Sequence, residues 1–254
     1  MPMQDNLTIG KGRLFFDQFE QNTLAGKGFR FLGNVPEINV SQDVEQMEHF
    51  SSTGGIRRKD RSVTTQRDMT LNFTTDNMSL ENLAMWYGGS VLPDTQTAAA
   101  SLTSTIVVQK GFFYQLGVTA TRPDGLSNLG PTLTATKTGV AVDPALNFDF
   151  DAANGTVEIL PNAPGVVDGD SLIFTYSTLA KTTRKIVDDK VKLFGTLMFL
   201  PDNPVGENFK RVWPYISLRA DGDTSLIGDD WATISFICEV LNRDSATPKS
   251  IIRG

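Results

Sequence analysis

The chain holds one histidine, His49, and one cysteine, Cys238, and this scarcity bounds its chemistry. A zinc site of the usual kind needs several His or Cys ligands. His49 has no second His or Cys near it and reads as a solvent-exposed or interface residue. A single histidine leaves little room for a catalytic triad, and no Gly-x-Ser-x-Gly elbow occurs. Gly10-Lys11-Gly12 and Gly26-Lys27-Gly28 lack the upstream glycine and the following Ser or Thr of a phosphate loop, so both read as strand-edge turns. Asp149-Phe150-Asp151 and Asp221-Gly222-Asp223 resemble the start of a calcium loop. Their glycine and terminal glutamate are misplaced, and they too read as turns. Asp188-Asp189 and Asp229-Asp230 are paired carboxylates in turn-like sequence. Cys238 sits in the apolar run 234–240 and reads as a buried thiol with no disulfide partner. The expectation is a chain without catalysis, metal or cofactor.

The regular chemistry lies elsewhere, in polar residues at period two. Successive strand side chains point to opposite faces. In 37–45, Ile38, Val40 and Val44 share one face, with Gln42 as the exception. Glu37, Asn39, Ser41, Asp43 and Glu45 share the other. In 62–74, Val63, Met69, Leu71 and Phe73 fall on one side, while Thr64, Gln66, Asp68, Thr70, Asn72 and Thr74 fall on the other. A third run, 231–241, puts Ala232, Ile234, Phe236, Cys238 and Val240 on a dry face that closes the core. Thr233, Ser235 and Glu239, together with Ile237, lie opposite. These strands suggest a sheet with one dry side and one wet, partly acidic side facing an aqueous channel or bulk solvent.

Between the first two strands lies a charged segment, 47–61, expected to be a long loop or an extended hairpin tip. It carries Met47, Glu48, His49 and Phe50, the pair Gly54-Gly55, then Ile56 and the cations Arg57, Arg58, Lys59 and Arg61. The expectation is a contact arm that reaches another subunit. Residues 76–88 read as the clearest helix, capped by Asp76 or Asn77. Its apolar stripe is Leu80, Leu83, Ala84 and Tyr87, and its stop is Gly88-Gly89. Residues 90–101 read as a linker. Short strands are then expected at 105–109, 112–121, 132–136, 147–150, 155–160 and 171–179. Further strands are expected at 11–19, 191–200 and 211–219, with extended arms at 1–10 and 242–254.

At 254 residues the chain can bury one large β domain or two smaller ones. Its net charge of −6 argues against wrapping nucleic acid, which needs a basic face. It is compatible with nucleic acid passing by without sticking. No apolar run approaches the roughly 20 residues of a membrane helix. The start, Met-Pro-Met-Gln-Asp-Asn, lacks the basic and apolar segments of a signal peptide. A protein kept in a cytoplasm until it assembles is expected.

The segment Phe31-Leu-Gly-Asn-Val-Pro-Glu-Ile-Asn-Val-Ser, continuing through Gly54-Gly55 to Leu71-Asn-Phe-Thr-Thr-Asp-Asn-Met-Ser-Leu-Glu-Asn-Leu-Ala-Met-Trp-Tyr-Gly-Gly, resembles the major tail tube proteins of long-tailed bacteriophages. So does the C-terminal pattern Gly195-Thr-Leu-Met-Phe, Trp213-Pro-Tyr-Ile-Ser-Leu and Leu226-Ile-Gly-Asp-Asp-Trp-Ala-Thr-Ile-Ser-Phe-Ile-Cys-Glu-Val-Leu. The order of elements carries the resemblance: strand, long loop, strand, helix, C-terminal strands. It implies a mainly β fold, a β-sandwich or partial barrel with one flanking helix, formed by 1–90 and 187–254. The middle, 91–186, departs from a minimal tube protein and reads as an inserted β domain or extra strands on the outer surface.

The resemblance further implies homohexameric rings that stack into a hollow tube conducting DNA from capsid to host, in a virion assembled in the host cytoplasm. Implied partners are further copies of the chain, the tape measure, tail terminator and tail tip proteins, and DNA held transiently in the lumen without specific binding. No membrane is involved. The lumen-lining candidates are Glu37, Asn39, Ser41, Asp43, Glu45, Thr64, Gln66, Asp68, Thr70, Asn72, Thr233, Ser235 and Glu239. The carboxylates among them would repel DNA phosphates. A competing reading is a virion decoration or adhesin module whose 102–185 region grips a receptor or glycan. A weaker one is a β-rich hydrolase using Asp229 and Asp230.

Overall fold

The computed structural model describes residues 7–189 and 192–254. The protein is mainly β and divides into two compact units, one formed by Met1–Leu92 with Ile186–Gly254 and the other by Pro93–Lys185. The first unit begins with β1 (Gly12–Gln18), β2 (Arg30–Phe31), β3 (Glu37–Ser51), β4 (Arg58–Thr75) and α1 (Leu80–Trp86). β5 (Gly89–Gln96) leads to β6 (Ala99–Val107), β7 (Phe113–Gln115), β8 (Thr134–Lys137), β9 (Val140–Val142) and the one-turn α2 (Pro144–Asn147). Then come β10 (Phe148–Asp151), β11 (Thr156–Ile159), β12 (Ser171–Thr178) and β13 (Lys181–Asp188), the last pairing with β5. β14 (Leu193–Pro201), β15 (Lys210–Asp221), β16 (Ile234–Val240) and β17 (Ile251–Arg253) return the chain to the first unit.

The first unit is an open sheet in the order β2-β1-β14-β15-β16-β4-β3, with β17 beside β15. Its neighbouring strands pair antiparallel. One face is the core: Leu14, Phe16, Leu71, Phe73, Leu197, Ile216, Ile234, Phe236 and Cys238 are buried together with Met85 of α1. Phe73 and Phe236 stack across β4 and β16 with ring centroids 5.0 Å apart. Burial raises the Cys238 thiol pKa far above its usual value and keeps the thiol inert.

α1 begins at Ser79, whose hydroxyl accepts from the Asn82 amide at 3.3 Å, so the cap is neither Asp76 nor Asn77. It ends at Gly88, whose φ of +67° lies in the left-handed region that favours glycine. The buried residues are Asn82, Ala84 and Met85, rather than the expected stripe of Leu80, Leu83, Ala84 and Tyr87. The physical reason is hydrogen bonding. Asn82 donates from Nδ2 to the carbonyls of Leu32 and Asn77 and accepts from Arg30 Nη1 at 2.8 Å. A polar residue therefore takes a core-facing position and ties the helix to the segment ahead of β3.

In the second unit, β6-β12-β8-β9 and β10-β11-β7 form two small sheets. They share a core that includes Leu116, Val157, Ile159, Leu172 and Phe174. The expected linker 90–101 is instead strand, in β5 and β6, because it pairs with β13 and β12. The expected strand 112–121 shrinks to Phe113–Gln115, and β9 and β13 were not anticipated. Asp149 and Asp151 lie on β10 rather than in a turn. The expected arm 242–254 is not free. Ile251–Arg253 pair with β15, and Lys249 Nζ donates to the Arg67 carbonyl at 3.0 Å. Of the expected N-terminal arm, residues 1–6 lie outside the described residues, and Ile9 bridges Val205. Val191, at the start of an expected strand, also lies outside them.

Candidate functional site

The wet face of the sheet is assembled by register. Glu37, Thr74, Ser235 and Asp221 stand opposite one another across β3, β4, β16 and β15. The next rows are Asn39, Asn72, Ile237 and Arg219, then Ser41, Thr70, Glu239 and Ser217. Directly paired residues of antiparallel strands project from the same face, so these rows form one polar surface backed by the buried core. Thr74 and Ser235 hydroxyls meet at 2.9 Å, and Asn39 Nδ2 donates to Glu37 Oε1 at 2.7 Å. Beyond the third row only β3 and β4 continue, with Asp43 opposite Asp68 and Glu45 opposite Gln66. Two like charges directly opposite are unfavourable, and Gln66 Nε2 donates to Asp68 Oδ2 at 2.5 Å.

Most expected wet-face residues are where the alternation places them: Glu37, Asn39, Ser41, Asp43, Glu45, Gln66, Asp68, Asn72 and Glu239 are exposed, while Thr70 and Ser235 are half-buried. Two are not. The register shifts between Glu45 and Gln46, leaving Thr65 as the extra residue. The bulge sets Thr64 opposite Gln46, on the face of Val40 and Val44, and sets Val63 opposite Met47, on the acidic face. Thr233 lies ahead of β16, which starts at Ile234, so it belongs to a loop. Trp231 is 93% exposed and does not close the core. Arg219, exposed on the same face, was missed, although the alternation of 211–219 carries the signal.

The segment 47–61 is mostly strand rather than loop. β3 runs 15 residues and β4 runs 18, and only 52–57 turn between them. Met47, Glu48, His49 and Phe50 belong to β3, Arg58, Lys59 and Arg61 to β4, and Gly54, Gly55, Ile56 and Arg57 to the tip. β4 pairs with β16 only over Thr70–Thr75, so from there outward β3 and β4 form a two-stranded ribbon. Gly54-Gly55 sit at the turn, where they leave the ribbon intact. Arg57 lies over the Phe50 ring at 5.2 Å, Lys59 pairs with Glu48, and His49 Nδ1 meets Asp60 at 2.6 Å. The supposed dry face is dry only near its base. Val40, Val44 and Phe50 are all exposed.

β3 is also the end strand of the sheet. One side of its backbone, over the whole of 37–51, has no strand partner within the described residues. A long exposed edge is a template for pairing with another chain, and an isolated two-stranded ribbon is marginal in water. An edge of this kind can accept a further strand. Among the described residues there is no group of His, Cys, Asp and Glu able to hold a metal, and no helix is long and apolar enough to cross a membrane.

A charged cluster in the second unit has a structural role. Arg122 Nη2 holds Asp94 at 2.9 and 3.0 Å, and Lys185 Nζ lies 3.2 Å from the same carboxylate. The hydrogen bond from Lys185 and the adjacent Arg122 hold Asp94 below the usual carboxylate range, against its desolvation. The cluster pins β5 and β13 to the turn at 122–125.

A protein family described as "Protein of unknown function UCP028589" matches residues 7–249. No curated protein matches the chain.

Proposed function

The chain belongs to this family, and we propose that it is a structural virion protein, the subunit of a bacteriophage tail tube. In this reading the first unit is a tail tube fold. Copies join side by side through the β3 edge into a hexameric ring, the rings stack, and the wet face of β3, β4 and β16 lines a bore for the phage DNA. The observation that carries the reading is the unpaired 15-residue edge strand running on into a ribbon exposed on both faces. Edge-to-edge closure removes the open edges, and a second, head-to-tail contact extends a ring into a filament. The carboxylates Glu37, Asp43, Glu45, Asp68 and Glu239 fit a surface that DNA passes without sticking. The protein's role is assembly rather than catalysis. Its partners are other copies of itself and, at the ends of the tube, the tape measure, terminator and tip proteins.

Negative-stain microscopy with light scattering on the purified chain tests this, with rings or tubes as the expected result. A chain that stays monomeric at every concentration, or a monomer that adheres to cell surfaces through Pro93–Lys185, overturns it. Changing Glu37, Asp43 and Asp68 to lysine is expected to preserve tubes and slow genome passage. Unchanged ejection kinetics would remove those residues from the bore.

A further inference from the structure

The three most exposed large apolar side chains among the described residues lie in one loop. Leu226 is 83%, Ile227 96% and Trp231 93% exposed, all in 222–233 between β15 and β16. The loop is shaped rather than random: Ser225 Oγ donates to the Ile227 carbonyl at 2.9 Å, and Thr224 Oγ1 to the Thr233 carbonyl at 3.2 Å. It carries Asp223, Asp229 and Asp230 and no Lys or Arg. Apolar side chains held this far into water mark a contact surface, and a central Trp is a common anchor of such surfaces.

The ribbon tip has the complementary chemistry. Met47, Ile56 and Val63 are 69, 70 and 61% exposed. Arg57, Arg58, Lys59 and Arg61 outnumber Glu48 and Asp60 beside them. The register puts the two surfaces at opposite ends of one sheet. Ile234, where the loop ends, is opposite Thr75, while the tip is at the far end of β4. At about 3.3 Å per residue, an 18-residue strand spans roughly 60 Å, so the chain's own tip does not reach its own loop. Two complementary patches at opposite ends of one molecule make a head-to-tail contact.

We propose that the 222–233 loop is the acceptor for the ribbon tip of a second copy of this chain. Trp231, Leu226 and Ile227 receive the apolar side chains of the tip, and Asp223, Asp229 and Asp230 face its cations. This deepens the tube reading, on which it rests, by naming the surface that one ring offers the next.

The test uses the full chain. Leu226→Asp with Trp231→Asp alters side chains that are almost wholly in solvent, so circular dichroism and Tm are expected to stay at the wild-type values. The concentration needed for axial assembly is expected to rise roughly tenfold or more. Asp229→Lys with Asp230→Lys is expected to block stacking, and adding Arg57→Glu with Arg58→Glu to the same chain is expected to restore it. Cys238 is buried and inert, so an equimolar mixture of Ile56→Cys and Ile227→Cys chains is expected to give an oxidised dimer that neither chain gives alone. Wild-type tubes accompanied by no cross-link, no effect of the Asp variants and no charge-swap rescue overturn the docking and leave the tube reading standing. A wild-type chain that never assembles overturns both.

Discussion

Strands β12 and β3 both alternate polar and apolar residues, yet β12 buries Leu172, Phe174 and Tyr176 while β3 leaves Val40, Val44 and Phe50 exposed. β12 lies between β6 and β8, over a core shared with β10 and β11. Among the described residues β3 has β4 on one side and no strand on the other, and beyond Ser41 no third strand continues beside the pair. The inner face of β12 is thus covered within its own unit, whereas the apolar residues of the outer half of β3 and β4 are left largely uncovered. Alternation selects which side chains share a face. It does not supply the layer that covers the face. In the ribbon no described element supplies that layer.

The sharpest way to break the comparison is to remove the ribbon. Replacing 47–63 by a two-residue Asn-Gly turn, which joins the paired Gln46 and Thr64, is expected to leave Tm almost unchanged and to abolish assembly in light scattering and negative stain. Normal tubes from this variant would show the ribbon to be dispensable. The next contrast is in stability. Phe174→Ala, at a fully buried ring packed edge-on to Phe148, is expected to cost about 3–5 kcal/mol in urea unfolding. Val63→Ala on the ribbon is expected to change it by no more than about 0.5 kcal/mol.

A smaller effect is expected from acid. Asp94 has a folded pKa depressed by Lys185 and Arg122. Its stabilisation is therefore present above the usual carboxylate value of 3.8 and is lost as pH falls through the lower folded value. Asp94→Asn is expected to lower the stability of the second unit at neutral pH and to converge with wild type in acid, as followed by Tm against pH. The smallest is at the like-charge pair. Asp43→Asn removes one of two carboxylates paired across the ribbon and is expected to raise Tm slightly. A fall would mean that Asp43 has a favourable partner.

Much of the sheet was legible because local patterns report local geometry. The alternation of 37–45, the apolar Leu71, Phe73, Ile234, Phe236 and Cys238, and the glycine stop at Gly88 all follow from the pleat or from backbone stereochemistry. The misreadings share a cause. Thr64 and Val63 changed faces because of one bulged residue, whose effect appears only once two strands are aligned. Asn82 took a buried helix position because Leu32 and Arg30, distant in sequence, converge on it together with the nearby Asn77. The segments 90–101 and 251–253 became strands because β12, β13 and β15 offered free edges. In 47–61 the Gly-Gly pair is a turn rather than a flexible loop because the flanking residues pair across it.

By itself the sequence determined composition, charge, the absence of a metal-binding or nucleophilic motif, and which residues of each strand belong together. Those properties follow from residue type and from a period of two. The tertiary structure alone decided which strand is left at an edge, which apolar face stays uncovered, and that the acidic loop and the basic tip lie at opposite ends of one sheet. Each of these depends on how strands distant in sequence align, and backbone pairing is specified between strands rather than within one.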